Sequence, residues 1–325
     1  MRVLITGGCG FIGSHIARYH LGKGDKVHVV DDLSTGTLEN ITAFRSNPLF
    51  HFDKADIIIW PGLVKSVALA DRIYHMAAVM GVHHLSRASI KVISTNIAGT
   101  ERLLRAVKAT GAGQRVIIAS SSEVYGLTDK PQLNEEDSLV FESAAQMTWS
   151  FAISKLADEA LGMVYNHVVN TPITVVRIFN AIGPGQTSSH SIVVPRFVKQ
   201  ACRGQPITVF GDGKQSRCFC DVRDLAASLD VLAAASNSVG EIVNVGNDRE
   251  IQMNDLAMLV RERANSKSEI IYVPFEEAYM ERSVSAMRRK PDLKKFYNLT
   301  NYKHQWTLED TIDDIISEYQ YFQHV

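Results

Sequence analysis

Along the first two-thirds of the chain, short β-branched and aliphatic runs alternate with longer stretches whose apolar positions recur at helical spacing. The short runs predict strands at Arg2–Thr6, Lys26–Val30, Leu49–Phe52, Arg72–His75, Arg115–Ala119 and Ile173–Arg177. Between them the spacing predicts helices over Phe11–Gly22, Gly62–Ala70, Ile90–Thr110 and Thr148–Val169. A parallel crossover needs a dozen or more residues, so this alternation predicts an α/β fold with a doubly wound parallel sheet. After about Arg177 the rhythm loosens, and Gly, Pro and Ser collect in residues 183–191 and again in Phe210–Lys214. A seventh strand, Glu241–Val245, is expected to return to the sheet. The reading is therefore a first domain over 1–177 and a smaller, interleaved C-terminal substrate domain over 178–325.

Composition narrows the partners more than the fold. The 325 residues are 46% hydrophobic and 21% charged, with a net charge of −1 and no block of like charges. That excludes an electrostatic track for nucleic acid or an anionic membrane surface. No run of about 18 apolar residues is present to span a bilayer. The amino terminus runs straight into a strand without a signal-peptide pattern, so a cytoplasmic protein is expected. Cys9, Cys202, Cys218 and Cys220 lack the paired spacing of a zinc site, so they are read as free thiols and no metal is expected.

The first strand feeds a loop with Gly7, Gly10 and Gly13, and a helix follows. Glycine is needed where the chain turns tightly, where backbone approaches a pyrophosphate, and where helix and strand pack closely. The positive end of the helix then faces the phosphates. The spacing is G-x-x-G-x-x-G rather than G-x-G-x-x-G, and alone it is a weak signal. Asp31, at the end of the second strand, strengthens it: an acid there accepts hydrogen bonds from ribose hydroxyls and repels a 2′-phosphate. The unit reads as Rossmann-type with NAD, rather than NADP, as cofactor.

Six motifs carry a wider resemblance. They are the glycine loop, His75-Met-Ala-Ala78, Asn96-Ile-Ala-Gly-Thr100, Ser120-Ser-Ser-Glu-Val-Tyr-Gly126, Arg177-Ile-Phe-Asn-Ala-Ile-Gly-Pro184 and Gly211-Asp-Gly-Lys-Gln-Ser-Arg217. In this order they resemble the extended short-chain dehydrogenase/reductase family, in its nucleotide-sugar epimerase, dehydratase and decarboxylase group. The resemblance implies that Phe11, Ile12, Asp32, Ser34, Asp56, Ile57, Ala77, Ala78, Asn96 and Lys155 line the cofactor with Gly7, Gly10, Gly13 and Asp31.

Family chemistry rests on a Tyr-x-x-x-Lys helix, and the matching segment here is Phe151-Ala-Ile-Ser-Lys155. Residues i and i+4 share a helix face, so the lysine holds the nicotinamide ribose and lowers the phenol's pKa. Phe151 keeps the ring and deletes the oxygen, so the general base is missing. Three readings stand: a substitution introduced to trap a complex, which the intact motifs around it favour; an altered enzyme using Glu123 or a water; or a chain that binds without turnover.

The resemblance places Ser121 at the sugar's 4-oxygen, with Ser122 and Glu123 following. Glucose-type 4,6-dehydratases carry Asp-Glu at those two positions, whereas Ser-Glu resembles UDP-glucuronate decarboxylases and GDP-mannose dehydratases. Arg289-Lys-Pro-Asp292 also resembles the decarboxylases, but Ala77–His84 lacks their Pro-containing loop and looks more like an epimerase segment, with His83 and His84 as possible substrate contacts. Asn180 and Arg217 match diphosphate-holding positions, while Val194, Thr208 and Phe210 match the nucleotide side, with backbone groups near Thr208 meeting the base edge. The resulting expectation is a UDP-sugar 4-epimerase working through a transient 4-keto sugar, deficient in its general base. UDP-glucuronate decarboxylation or 4,6-dehydration is the alternative, and a non-catalytic NAD- or nucleotide-sugar-binding protein the alternative of another class. The two long predicted helices resemble the pair that forms a homodimer interface in this family.

Overall fold

In the computed structural model the chain begins β1 (Arg2–Thr6), α1 (Phe11–Gly22), β2 (Lys26–Asp31), β3 (Phe50–Lys54), α2 (Leu63–Leu69) and β4 (Arg72–His75). It continues α3 (Ser86–Ala109), β5 (Arg115–Ser121), α4 (Ser150–Val169), β6 (Ile173–Ile178), β7 (Ala181–Ile182) and α5 (Val193–Cys202). Next come β8 (Ile207–Phe210), β9 (Ser216–Cys218), β10 (Cys220–Asp221), α6 (Val222–Ala234), β11 (Ile242–Val245) and β12 (Glu250–Gln252). The last elements are α7 (Met253–Arg263), β13 (Ile270–Val273), α8 (Phe275–Ala278), β14 (Arg288–Arg289), α9 (Lys294–Thr300) and α10 (Leu308–His324). The structure describes all residues except 81–85, 112, 129, 144–146, 187–191, 279–286 and 325.

Seven strands form one parallel sheet in the order β11-β6-β5-β4-β1-β2-β3. The chain winds outward from β1 to β3, then returns to lay β4 on the other side of β1. Ligands of such sheets bind beyond the carboxyl ends of the strands at that reversal. The glycine loop leaves β1 and the His75–Ala78 segment leaves β4 there.

Each predicted strand is present, including the returning one, which pairs with β6 as β11. Four strands run past their predicted ends, β2 to Asp31, β3 to Lys54, β5 to Ser121 and β6 to Ile178; in β5 the serines that look like loop residues are held in the ladder. Helix α3 begins at Ser86 rather than Ile90.

Both sheet faces are covered, which explains why the strands read as nearly continuous apolar runs. Val3 and Ile5 of β1 pack with Ile16, Ala17, Leu225 and Leu229 from α1 and α6. Leu4 points the other way, into a cluster with Leu103, Leu104 and Val107 of α3. Each such buried side chain contributes roughly 1.5–3 kcal/mol. A separate core joins α5, α7, α10 and β8 through Phe197, Val198, Val209, Leu256, Val260 and Ile312. Among the described residues no helix is long and apolar enough to cross a membrane.

Candidate active site

The turn between β1 and α1 has little room for side chains. Gly7 has φ +72°, and a Cβ there would lie 2.6 Å from the backbone nitrogen of Ala77, on the loop after β4. A Cβ on Gly13 would lie 2.3 Å from the carbonyl oxygen of Gly7. Gly10 caps the helix, its N–H donating to the Gly7 carbonyl at 3.2 Å. Phe11 and Ile12 follow as half-buried residues of the first helical turn.

Asp31 is buried at the end of β2, where it accepts from the Cys9 N–H at 2.9 Å and the Leu33 N–H at 2.8 Å. Burial pushes its carboxyl up, and those backbone donors pull it back toward the ionised form. The carboxylate therefore ties the glycine loop to the loop after β2 as well as marking the expected ribose position. Asp32 is exposed and accepts from the Ser34 N–H at 2.8 Å. Asp56 caps its own turn through the Ile58 N–H at 2.9 Å, and Ile57 is buried near Gly99 of α3. A backbone-lined turn, a helix N-terminus and a buried acid fit a dinucleotide.

The Asn96 amide accepts from the Val79 N–H at 2.7 Å and donates to the Val79 carbonyl at 3.1 Å and the Ser154 hydroxyl at 2.9 Å. Its groups brace the loop carrying Ala77 and Ala78 against α4. Ser154 completes the brace by donating to the Phe151 carbonyl at 2.7 Å. Deeper in, the His75 ring bonds the hydroxyls of Thr6 at 2.7 Å and Thr100 at 3.0 Å. Burial, with Lys155 nearby, lowers its pKa to about 3.

Phe151 and Lys155 lie one above the other on α4, as their spacing requires. The Lys155 ammonium is buried and pairs with Asp158 at 3.1 Å. Sequence reading missed Asp158, although its position three residues beyond Lys155 on a helix signals the contact. Tyr125 is no substitute phenol: its hydroxyl donates to Asn244 at 2.7 Å, and burial pushes it up to about 12.

The residues expected to meet the sugar gather at the end of β5. Ser121 accepts from the Glu123 N–H at 3.2 Å, capping a short 3-10 turn over Ser122–Tyr125, and Ser122 is buried inside that turn. Behind it, the Arg177 guanidinium grips Glu159 of α4 through two bonds of 2.9 and 2.8 Å, and Glu159 also accepts from Ser120 at 2.5 Å. Glu123 forms an ion pair with Arg289. The arginine side chain is only 7% exposed and the glutamate 44%, so the charge brought in from the C-terminal region is the desolvated one. The Arg289 Nε has no hydrogen-bond partner among the described residues. Arg289 also stands opposite Arg217 in the β14–β9 register, which puts two arginines side by side.

The nucleotide-side residues are less uniform. Asn180, between β6 and β7, donates to the Cys218 carbonyl at 2.9 Å, tying that link to β9. Arg217 donates to the Ser216 carbonyl at 2.7 Å. Val194 is fully buried in the core beneath α5, where its side chain packs that helix. The Thr208 N–H donates to Gln200 at 3.1 Å and its carbonyl accepts from Arg196 at 3.2 Å, so the expected base-edge groups are engaged within the protein. The Arg196 guanidinium covers the Phe210 ring at 3.7 Å from the centroid. His83 and His84 lie outside the described residues.

Residues 3–246 match the NAD dependent epimerase/dehydratase family. The chain is 33% identical to UDP-N-acetyl-alpha-D-glucosaminuronate decarboxylase of Bacillus cytotoxicus, covering 100% of this chain and 98% of that protein. It is 33% identical to UDP-glucuronic acid decarboxylase 1 of Arabidopsis thaliana over 98% of this chain and 70% of that protein. Among solved structures it resembles UDP-glucuronic acid 4-epimerase of Bacillus cereus, in a tyrosine-to-phenylalanine mutant holding UDP-4-deoxy-4-fluoro-glucuronic acid and NAD. The TM-score is 0.88 at 25% identity, covering 99% of this chain and 100% of that one.

Proposed function

Because the chain belongs to the NAD dependent epimerase/dehydratase family and its cofactor is NAD, we propose that it acts on a UDP-sugar whose C6 is a carboxylate. The observation that carries this reading is the desolvated Arg289 beside Arg217 at the mouth of β5. A buried guanidinium suits bidentate recognition of a carboxylate or phosphate. Decarboxylation is the first reading, since both curated relatives named above are decarboxylases of UDP-uronates. Epimerisation at C4, favoured by the motifs alone, is the second, supported by the resemblance to a UDP-glucuronic acid 4-epimerase.

When bound, NAD would supply a reversible hydride acceptor for C4. The chain's residues hold and charge the sugar around that step. Ser121 is assigned to the 4-oxygen, and the Lys155 ammonium, restrained by Asp158, to the nicotinamide ribose. Arg289 would exchange Glu123 for the substrate carboxylate, which frees Glu123 to handle a proton. Phe151 neither gives nor takes one. Loss of a general base costs about 10²–10⁴-fold in rate, so the reading is a slow enzyme with an intact binding apparatus. Assembly as a homodimer through α3 and α4 belongs to the same proposal: these helices pack on each other yet leave Ile90 72%, Val164 56% and Val168 70% exposed.

The test incubates the chain and its Phe151→Tyr variant separately with UDP-glucuronate, UDP-N-acetylglucosaminuronate, UDP-glucose and UDP-N-acetylglucosamine, following products by NMR. A pentose product with carbon dioxide supports decarboxylation, and a C4 epimer with its carboxylate retained supports epimerisation. Turnover of the neutral sugars alone sinks the uronate assignment. No turnover with any sugar after the phenol is restored leaves the binding-only reading.

A further inference from the structure

Strands β2 and β3 are the outer pair of the sheet, and their parallel register sets His28 directly opposite His51. Asp53 lies two residues further along β3, and residues two apart on a strand share a face. Three side chains that the sequence separates therefore meet at one place. The Asp53 Oδ2 lies 2.9 Å from the His28 Nε2 and 3.2 Å from the His51 Nε2. All three ligand atoms fall within 4.8 Å of one another. Trp60 stands edge-on to His28 at 6.1 Å and walls one side, while His51 is 66% exposed on the other.

We propose that His28, His51 and Asp53 form a binding site for a divalent transition-metal ion, with Zn²⁺ as the probe. Zn²⁺ takes imidazole nitrogen and carboxylate oxygen at about 2.0–2.2 Å in tetrahedral array, which sets neighbouring ligand atoms about 3.3 Å apart. Two of the three edges of that arrangement are within a few tenths of an ångström of this spacing. Binding takes each ring as the neutral tautomer with its proton on Nδ1, so that two Nε2 lone pairs and one charged oxygen converge on the ion. The donor set favours zinc and its first-row neighbours over Mg²⁺ or Ca²⁺, which prefer all-oxygen shells. Water completes the coordination on the His51 side. The ion fastens the edge strand β3 to β2, whose far end carries Asp31. This site stands apart from the nucleotide-sugar chemistry and does not rest on it.

The experiment uses the full chain, free of any affinity tag and stripped with a chelator. Titration with ZnCl₂ is followed by calorimetry, and Tm is measured with and without the ion. The expected result is one Zn²⁺ per chain and a Tm raised by about 2–4 °C at saturation. His51→Ala, at an exposed position, and Asp53→Asn each weaken binding at least 10-fold and abolish the Tm rise. Their circular dichroism matches that of the unsubstituted chain. Co²⁺ gives an independent readout through visible absorption that the His51→Ala variant loses. Binding well below one equivalent overturns the proposal, as does Zn²⁺ affinity and Co²⁺ absorption unchanged in His51→Ala. Tighter binding of Mg²⁺ than of Zn²⁺ overturns the choice of metal class.

Discussion

The two halves of the candidate site are built by different means. The cofactor half is made of backbone: Gly7 in a left-handed conformation, Gly13 against the Gly7 carbonyl, and one buried acid fastening two loops. The proposed sugar half is made of side chains brought from distant stretches, with Ser121 ending β5, Glu123 just after it, Phe151 on α4 and Arg289 on β14. Backbone sites tolerate almost no substitution without losing the turn itself. Side-chain sites can lose one atom and keep their shape, and on the proposed reading Phe151 is such a loss. Cofactor binding and turnover can therefore separate in one chain, because they rest on different kinds of structure.

The largest effect that would sharpen this contrast is expected from Gly13→Ala. Its Cβ meets the Gly7 carbonyl at 2.3 Å, so the turn must shift, and NAD affinity measured by calorimetry should fall at least about 100-fold while the circular dichroism is kept. Undiminished NAD binding would break the claim that backbone proximity makes the cradle. Next in size, Arg289→Met keeps the length and removes the charge. Loss of one charge-assisted contact predicts a fall of about 10- to 100-fold in kcat/KM for UDP-uronates, with little change in NAD affinity. An equal loss in both would show that Arg289 supports the fold rather than the sugar.

A third prediction concerns the buried histidine between the halves. Burial lowers the His75 pKa to about 3 in the folded chain, against about 6.5 for a solvated imidazole. Between those values the unfolded chain holds a proton that the folded chain refuses, so stability falls as pH drops, by up to about 1.4 kcal/mol per unit. Urea midpoints from pH 7 to 4 should show this slope, and His75→Gln should flatten it even though it lowers stability at neutral pH. A slope that survives the substitution would place the acid sensitivity elsewhere. The smallest effect on NAD binding is expected from Asn96→Ala, which removes the brace between the Val79 loop and α4 at a cost of about 1–3 kcal/mol in stability. Thermal melts should register it, and NAD affinity should weaken only modestly if Asn96 positions the loop rather than touching the cofactor.

The same division decides what the sequence could reveal. Gly7, Gly10, Gly13 and Asp31 are legible because each obeys a local rule tying residue type to backbone shape. The strands are legible because the sheet is covered on both faces and demands apolar runs. Arg289 was found by resemblance, but its pairing with Glu123 depends on β14 lying beside β9, which no local pattern reports. The surroundings of Val194 and Thr208 are equally non-local: helix α5 turns the valine inward, and Gln200 and Arg196 engage the threonine backbone. His28, His51 and Asp53 converge only once the register of β2 and β3 is set.

The central claim, that this chain holds its cofactor and substrate without the phenol that turns them over, is tested most directly by comparing the chain with Phe151→Tyr in one experiment. Both are assayed for bound NAD, for affinity toward UDP-glucuronate and UDP-N-acetylglucosaminuronate, and for kcat. The account predicts NAD content and sugar-nucleotide affinity within about threefold of each other and a kcat raised about 10²–10⁴-fold by the tyrosine. Equal kcat values, or a variant that gains activity only by first gaining NAD, would contradict it.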